Sequence, residues 1–349
     1  MPAISAADAI SPAIHRTRAF LFRPFSLGTY LKLCLVALLT GGSSGGGGNF
    51  HLPHSSHVNR HSHIQTYSAF PHFAFTPERI AAACAIIALL LLVGLFIAYL
   101  ITRLRFAWFH CLIHNIREIR PGWHLYREPA TRFFWFNVVV GLCFFALMAV
   151  LVFPFAAGFI GLFHGMRAGA HPNIGAIFAL LLPLIPIILL IVILAIAAKI
   201  VLLDLMLPHF ALDNATAGQA WAAAWSRIRS EKGAFFVYAL LRVLLPIAAA
   251  IGLFVVLLIP GIVCIIAVAA VEAGLHAALG HAALGLFLEV SVGCIAAAIG
   301  LLVFIGVYGP LQTAVREYAL IFYGNRYRTL GDALYPLPPP AAIPTPATP

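Results

Sequence analysis

Residues 80–101 read IAAACAIIALLLLVGLFIAYLI, twenty-two consecutive positions without a charge. A helix rises 1.5 Å per residue and needs about 20 apolar residues to cross the hydrocarbon of a bilayer. The stretch therefore predicts a membrane-spanning helix, and the pattern recurs along the chain. Comparable apolar runs cover residues 133–156, 177–203, 235–259 and 284–307. A shorter run, 27–40, contains Lys32 and leads into the glycine tract 41–48. Six spans are expected on this reading, the first being the least complete. Pro154 and Pro260 fall where apolar sequence continues beyond one span, so each predicts a kink or a break.

Composition supports a lipid environment. Of 349 residues, 62% are hydrophobic and only 9% charged, whereas a soluble domain carries roughly a quarter charged residues. The formal net charge of +10 lies in short clusters between apolar runs, which argues against nucleic acid as a partner. Arg16, Arg18 and Arg23 precede the first span, and Arg103 to Arg132 separate the second from the third. Arg227, Arg229 and Lys232 precede the fifth, and Arg316, Arg326 and Arg328 follow the sixth. Only Arg60, Arg79 and Arg167 fall on the opposite side. The positive-inside rule then places both termini in the cytoplasm of a bacterial inner (plasma) membrane. A cleaved signal peptide competes for the first span, but Lys32 interrupts its apolar region and no A-x-A site follows.

The expected architecture is an all-α polytopic bundle. Residues 1–26 form a cytoplasmic amphipathic segment, 27–323 the transmembrane domain, and 324–349 a Pro/Ala-rich disordered cytoplasmic tail. The two long cytoplasmic loops resemble each other at an offset of 102 residues: Trp123 matches Trp225, Arg127 matches Arg229, and Phe133-Phe134 matches Phe235-Phe236. Exits from alternate spans also rhyme, at His114-Asn115, Asp213-Asn214 and Gly324-Asn325. Three pseudo-repeated hairpins follow, each introduced by an amphipathic helix. Arg16, Arg18, Trp123, Arg127, Trp225 and Arg229 are the expected lipid-headgroup contacts.

Ionisable groups within spans are costly and mark candidate sites. Lys199 and Asp204 lie near the end of the fourth span and Arg242 early in the fifth, so Asp204 and Arg242 are expected to form a structural ion pair. Asn137, in the third span, has the chemistry to bond a neighbouring helix. The same four residues would line a pathway if one existed. The external loop 41–79 carries His51, His54, His57, His61 and His63, a weak metal-binding pattern that lacks Cys or carboxylate at ligand spacing. His110 and His114 share a helix face and could offer half a metal site, with interfacial packing the simpler reading. No cofactor is implied. The six cysteines form no CxxC pair and read as small buried hydrophobes. HExxH, GxSxG and GxxxxGK[ST] are all missing, so no enzyme chemistry is expected.

The segment Leu203-Asp204, Pro208, Ala211-Leu212-Asp213, Ala220-Trp221, Trp225, Arg229, Gly233, Phe235-Phe236 resembles a cytoplasmic stretch of bacterial polytopic proteins. It is similar to the membrane domain found beside glycerophosphodiester phosphodiesterases and to related uncharacterised six-span families. Phe22-Arg23-Pro24-Phe25-Ser26-Leu27-Gly28, followed by the glycine tract, resembles one such family. The resemblance implies no hydrolysis, because the soluble catalytic barrel of those fusions has no counterpart here. A non-enzymatic scaffold or accessory module is the leading expectation. It would contact the bilayer, and a membrane-protein partner or a second copy. A transporter or channel with its pathway between the hairpins is the alternative.

Overall fold

The computed structural model describes residues 4–42, 77–167, 174–280 and 283–336. His51, His54, His57, His61 and His63, with the tail from residue 337, lie outside the described residues. Among the described residues every regular element is helical and none is a strand. In chain order these are α1 (Ile10–Phe22), α2 (Leu27–Gly42), α3 (Pro77–His114), α4 (Ile119–Leu125) and α5 (Arg127–Arg167). Next come α6 (Ile174–Ile200), which continues through a π-helical turn (Val201–Met206) into α7 (Leu207–Leu212), and then α8 (Ala217–Ser230). The last three are α9 (Lys232–Leu279), α10 (Ala283–Gly324) and α11 (Arg328–Leu334).

Five of these helices are long and apolar enough to cross a membrane, which makes this a multi-pass membrane protein. The expected first span is not among them. At 16 residues α2 reaches about 24 Å, short of the ~30 Å hydrocarbon. Its contacts also run in an unexpected direction. Tyr30 Oη donates to Gly306 O at 2.6 Å, Cys34 packs on Gly309, and Gly41 meets Gln312. The two helices thus advance in the same sense, so α2 heads toward the end where α10 finishes.

Gly309 makes that crossing feasible. A Cβ there would lie 2.3 Å from Cys34 Cβ, so only hydrogen fits between the two backbones. Close helix approach through a small residue is the usual solution within membranes. Neither Pro154 nor Pro260 breaks its helix: α5 and α9 run through them. Without water to satisfy freed backbone groups, an apolar chain retains the helix despite one missing N–H.

The long helices divide into two zones. From residue 80 to 100 on α3, and from 283 to 304 on α10, most large side chains are exposed; Leu91 and Phe287 are both 70% exposed. These stretches of 21 and 22 residues are about 31 and 33 Å long, matching the hydrocarbon thickness. Cys84, Cys143, Cys264 and Cys294 are exposed in this apolar zone, so only Cys34 and Cys111 fit the expectation of buried thiols. Beyond it the same helices converge. Phe106 and Trp108 of α3, Phe133 of α5, Phe210 of α7, Tyr238 of α9 and Phe322 of α10 are buried together with one face of α1. We call this packed zone the headpiece. Its aromatic contacts include Phe133 edge-on to Phe210 at 5.2 Å and Tyr238 stacked on Phe322 at 4.2 Å.

Candidate functional site

One buried carboxylate of the headpiece, Asp204, gathers three side chains around it. In the π-helical turn the chain gains a residue relative to the α-helical register, a feature common at functional sites, and there Asp204 points inward with only 3% exposure. Tyr238 Oη donates to Asp204 Oδ2 at 3.0 Å and Arg242 Nε donates to it at 2.8 Å. Arg316 Nη1 donates to Oδ1 at 3.0 Å and to Leu203 O at 3.3 Å. A buried carboxylate persists as an anion only when it is paired and hydrogen-bonded in this way. Beside it lies a cavity of about 20 Å³ bordered by Arg105, Asp204 and Arg316, room for about one water.

A second group of polar residues faces a cleft between α5 and α6. Arg105, Asn137 and Lys199 line it together with Val140, Phe144 and Leu202, enclosing about 290 Å³. Arg105 Nε donates to Thr40 O at 3.2 Å, and Lys199 Nζ lies 3.5 Å from Gly41 O. Asn137 Nδ2 is buried without an acceptor.

A third cluster centres on His209, which is 2% exposed. Its Nδ1 meets Asp213 Oδ2 at 2.9 Å and its Nε2 meets Tyr323 Oη at 2.8 Å. Arg227 stands over the Tyr327 ring at 5.0 Å, and burial raises the Tyr327 phenol above its ordinary pKa. With both imidazole nitrogens occupied, this chain fastens α7 to α10.

Of the four residues singled out within spans, Asp204 and Arg242 come together, while Lys199 and Asn137 share the neighbouring cleft. The expected headgroup residues divide. Arg16 turns inward, its Nε 3.2 Å from Glu317 Oε2 and its Nη atoms on the carbonyls of Leu112, Ile113 and Leu334. Arg18, Arg127 and Arg229 are exposed. Trp225 is 41% exposed and stacks on Trp221, which is 47% exposed, at 5.8 Å. Trp123 lies under Arg103 at 4.4 Å. His110 and His114 have ring centroids 4.5 Å apart, and among the described residues no three His, Cys, Asp or Glu side chains gather as metal ligands would.

Arg105, Tyr238 and Arg316 belong to these clusters, Glu317 pairs with Arg16, and all four were missed as site residues in the sequence. Arg105 and Arg316 sit just past apolar runs, where falling hydropathy signals a loop. The helices in fact continue, and both side chains turn into the headpiece.

Residues 4–333 match a profile described as a family of unknown function, DUF7544. The chain belongs to that family. The match begins before α1 and ends within α11, so it takes in both zones and the Asp204 cluster. No curated protein and no solved structure matches the chain.

Proposed function

We propose that the protein is a non-enzymatic membrane module whose headpiece docks against lipid headgroups at the cytoplasmic face. The observation that carries this reading is the exposed face of α8. Ala220 and Ala224 are buried on one side, leaving Trp221, Trp225 and Arg229 outward, with the Arg229 guanidinium 5.2 Å from the Trp225 ring. A stacked tryptophan pair beside an arginine suits the interface, where indole rings lie at headgroup depth and the cation meets lipid phosphate. Arg18 and Arg127 are exposed as well.

The clustering of basic residues at the headpiece end supports a cytoplasmic orientation in a bacterial inner membrane. Asn115 and Asn214 both adopt left-handed backbone, φ 54° and 51°, and the residue after each donates back into the last helical turn. This shared exit geometry favours a pseudo-repeat of hairpins. A transport pathway would require polar groups along the apolar zone, whereas Asp204, Arg242, Lys199 and Asn137 gather at one end of it.

The test is fluorescence quenching of the full-length protein in vesicles containing brominated lipids. With Trp135→Phe as background, removing the exposed tryptophan of the apolar zone, shallow bromines should quench strongly. Trp221→Phe with Trp225→Phe should abolish most of that quenching. Unchanged quenching in the double variant would refute headgroup docking by α8.

A further inference from the structure

The α5/α6 cleft differs from the other polar clusters in one respect: its donors exceed its acceptors. Lys199 lies within electrostatic reach of Arg105, Arg242, Arg316 and Asp204, so the region carries four cations and a single carboxylate. Asp204 is already engaged by Arg242, Arg316 and Tyr238. The Lys199 ammonium has three donors and reaches Gly41 O only at 3.5 Å. Asn137 Nδ2 is buried and has no acceptor. Leaving such a donor unmatched is unfavourable, and a concentration of like charge adds to the cost. The site is complementary to an anion.

Its shape specifies the anion further. From the polar end the cleft continues along Val140, Gly141, Phe144, Ala195 and Ala198. Gly141 and Ala195 are exposed on the lipid-facing surface, so the cleft opens sideways. Arg105 lies five residues past the end of the exposed zone of α3, about 7 Å beyond the hydrocarbon edge. Phosphate groups of the adjoining leaflet occupy that depth.

We infer that this cleft is a binding site for an anionic phospholipid, with the phosphate held by Lys199 and Asn137 and an acyl chain laid along Val140 and Phe144. The inference rests on the membrane placement proposed above but uses none of the α8 residues, so the two fail separately.

The experiment is a thermal melt of the delipidated full-length protein in neutral detergent. The probes are phosphatidylglycerol, phosphatidylcholine and inorganic phosphate. Phosphatidylglycerol should raise Tm by about 5 °C at saturation, and the other two should leave it within about 1 °C. Lys199→Gln should shift the half-maximal lipid concentration upward about tenfold, the loss expected for one charge-assisted contact. Asn137→Leu should melt at or above the wild-type temperature without lipid, because it removes an unmatched donor, yet respond to lipid less. A merely structural Asn137 would leave the lipid response unchanged.

An equal response to phosphatidylcholine, or wild-type lipid dependence in both variants, would overturn the site. Reproduction of the shift by inorganic phosphate would mark a small-anion site and also overturn the lipid assignment. Arg229→Gln should keep the phosphatidylglycerol shift even if α8 docking fails its own test.

Discussion

Asp204 holds two guanidiniums at once, and this alters what substitutions should do. Were the pair only Asp204 with Arg242, exchanging the two charges would preserve it. Because Arg316 also donates to Asp204 at 3.0 Å, the exchange places an arginine at position 204 against Arg316. Asp204→Arg with Arg242→Asp is therefore expected not to restore the expression lost in either single variant. Asp204→Leu leaves both arginines facing each other and should cost about 3–5 kcal/mol, the range for breaking a buried pair. Arg316→Met leaves one intact pair and should cost less. Detergent melts should rank wild type above Arg316→Met above Asp204→Leu; the reverse order of the two variants would contradict the geometry. Asp204 and Arg242 were legible in the sequence because each interrupts an apolar run at similar depth. Arg316 was not, since nothing in one dimension separates an arginine starting a loop from one continuing a helix inward.

Among the elements, α2 shows where a hydropathy reading reaches its limit. Composition identifies it as apolar, but direction is a tertiary property, set here by which face of α10 accepts it. The decisive contact is Gly309 against Cys34. Gly309→Ala is expected to push α2 away and destabilise by about 1–3 kcal/mol, as overpacking does. Adding Cys34→Gly should recover part of that loss in the same thermal melt. A Gly309→Ala protein as stable as wild type would mean that α2 does not cross there. The long helices were legible as spans, but not their full lengths. α3 continues past residue 101 through Thr102, Arg103 and Arg105 to His114. Aromatic and charged residues in these last turns lower the hydropathy and signal an exit, while the headpiece supplies the partners that keep the helix going. The prolines did not end their helices for a related reason, because the cost of a lost backbone bond is judged against water and these helices lack it.

At the scale of the molecule, two zones on one set of helices explain why buried ionic groups coexist with such an apolar chain. The hydrocarbon-length zone is mostly apolar, with Glu289 beside His276 at 3.1 Å toward its far end, and the buried ionic groups sit where protein packs on protein. Both ends of the described residues belong to the headpiece: Arg16 Nη1 donates to Leu334 O and Arg326 Nη1 to Ile4 O, each at 3.2 Å. Fluorescent-protein and alkaline-phosphatase fusions at the two ends should therefore report the same side of the membrane, which requires an even number of crossings, one more than the five long helices supply. Opposite readouts would require the headpiece to come apart. An all-helical membrane protein with charge gathered at one end was legible from apolar periodicity and basic clusters. The headpiece as a packed body was not, because its core draws residues from helices far apart in sequence, from α1 to α11.

The clasp between Arg16 and Glu317 joins the first helix to the last long one across some 300 residues. During synthesis the arginine emerges early and its carboxylate very late. At about 5–20 residues per second, α1 waits roughly 15–60 s for Glu317. Through that interval a nascent chain presents an open headpiece, with Arg16 solvated and the inner faces of α3 and α5 uncovered. Closure thus reports that translation has passed α10. A chain cut short before Glu317 would lack the core residues of α10 and α11, from Tyr318 to Leu334, that cover this surface in the finished one.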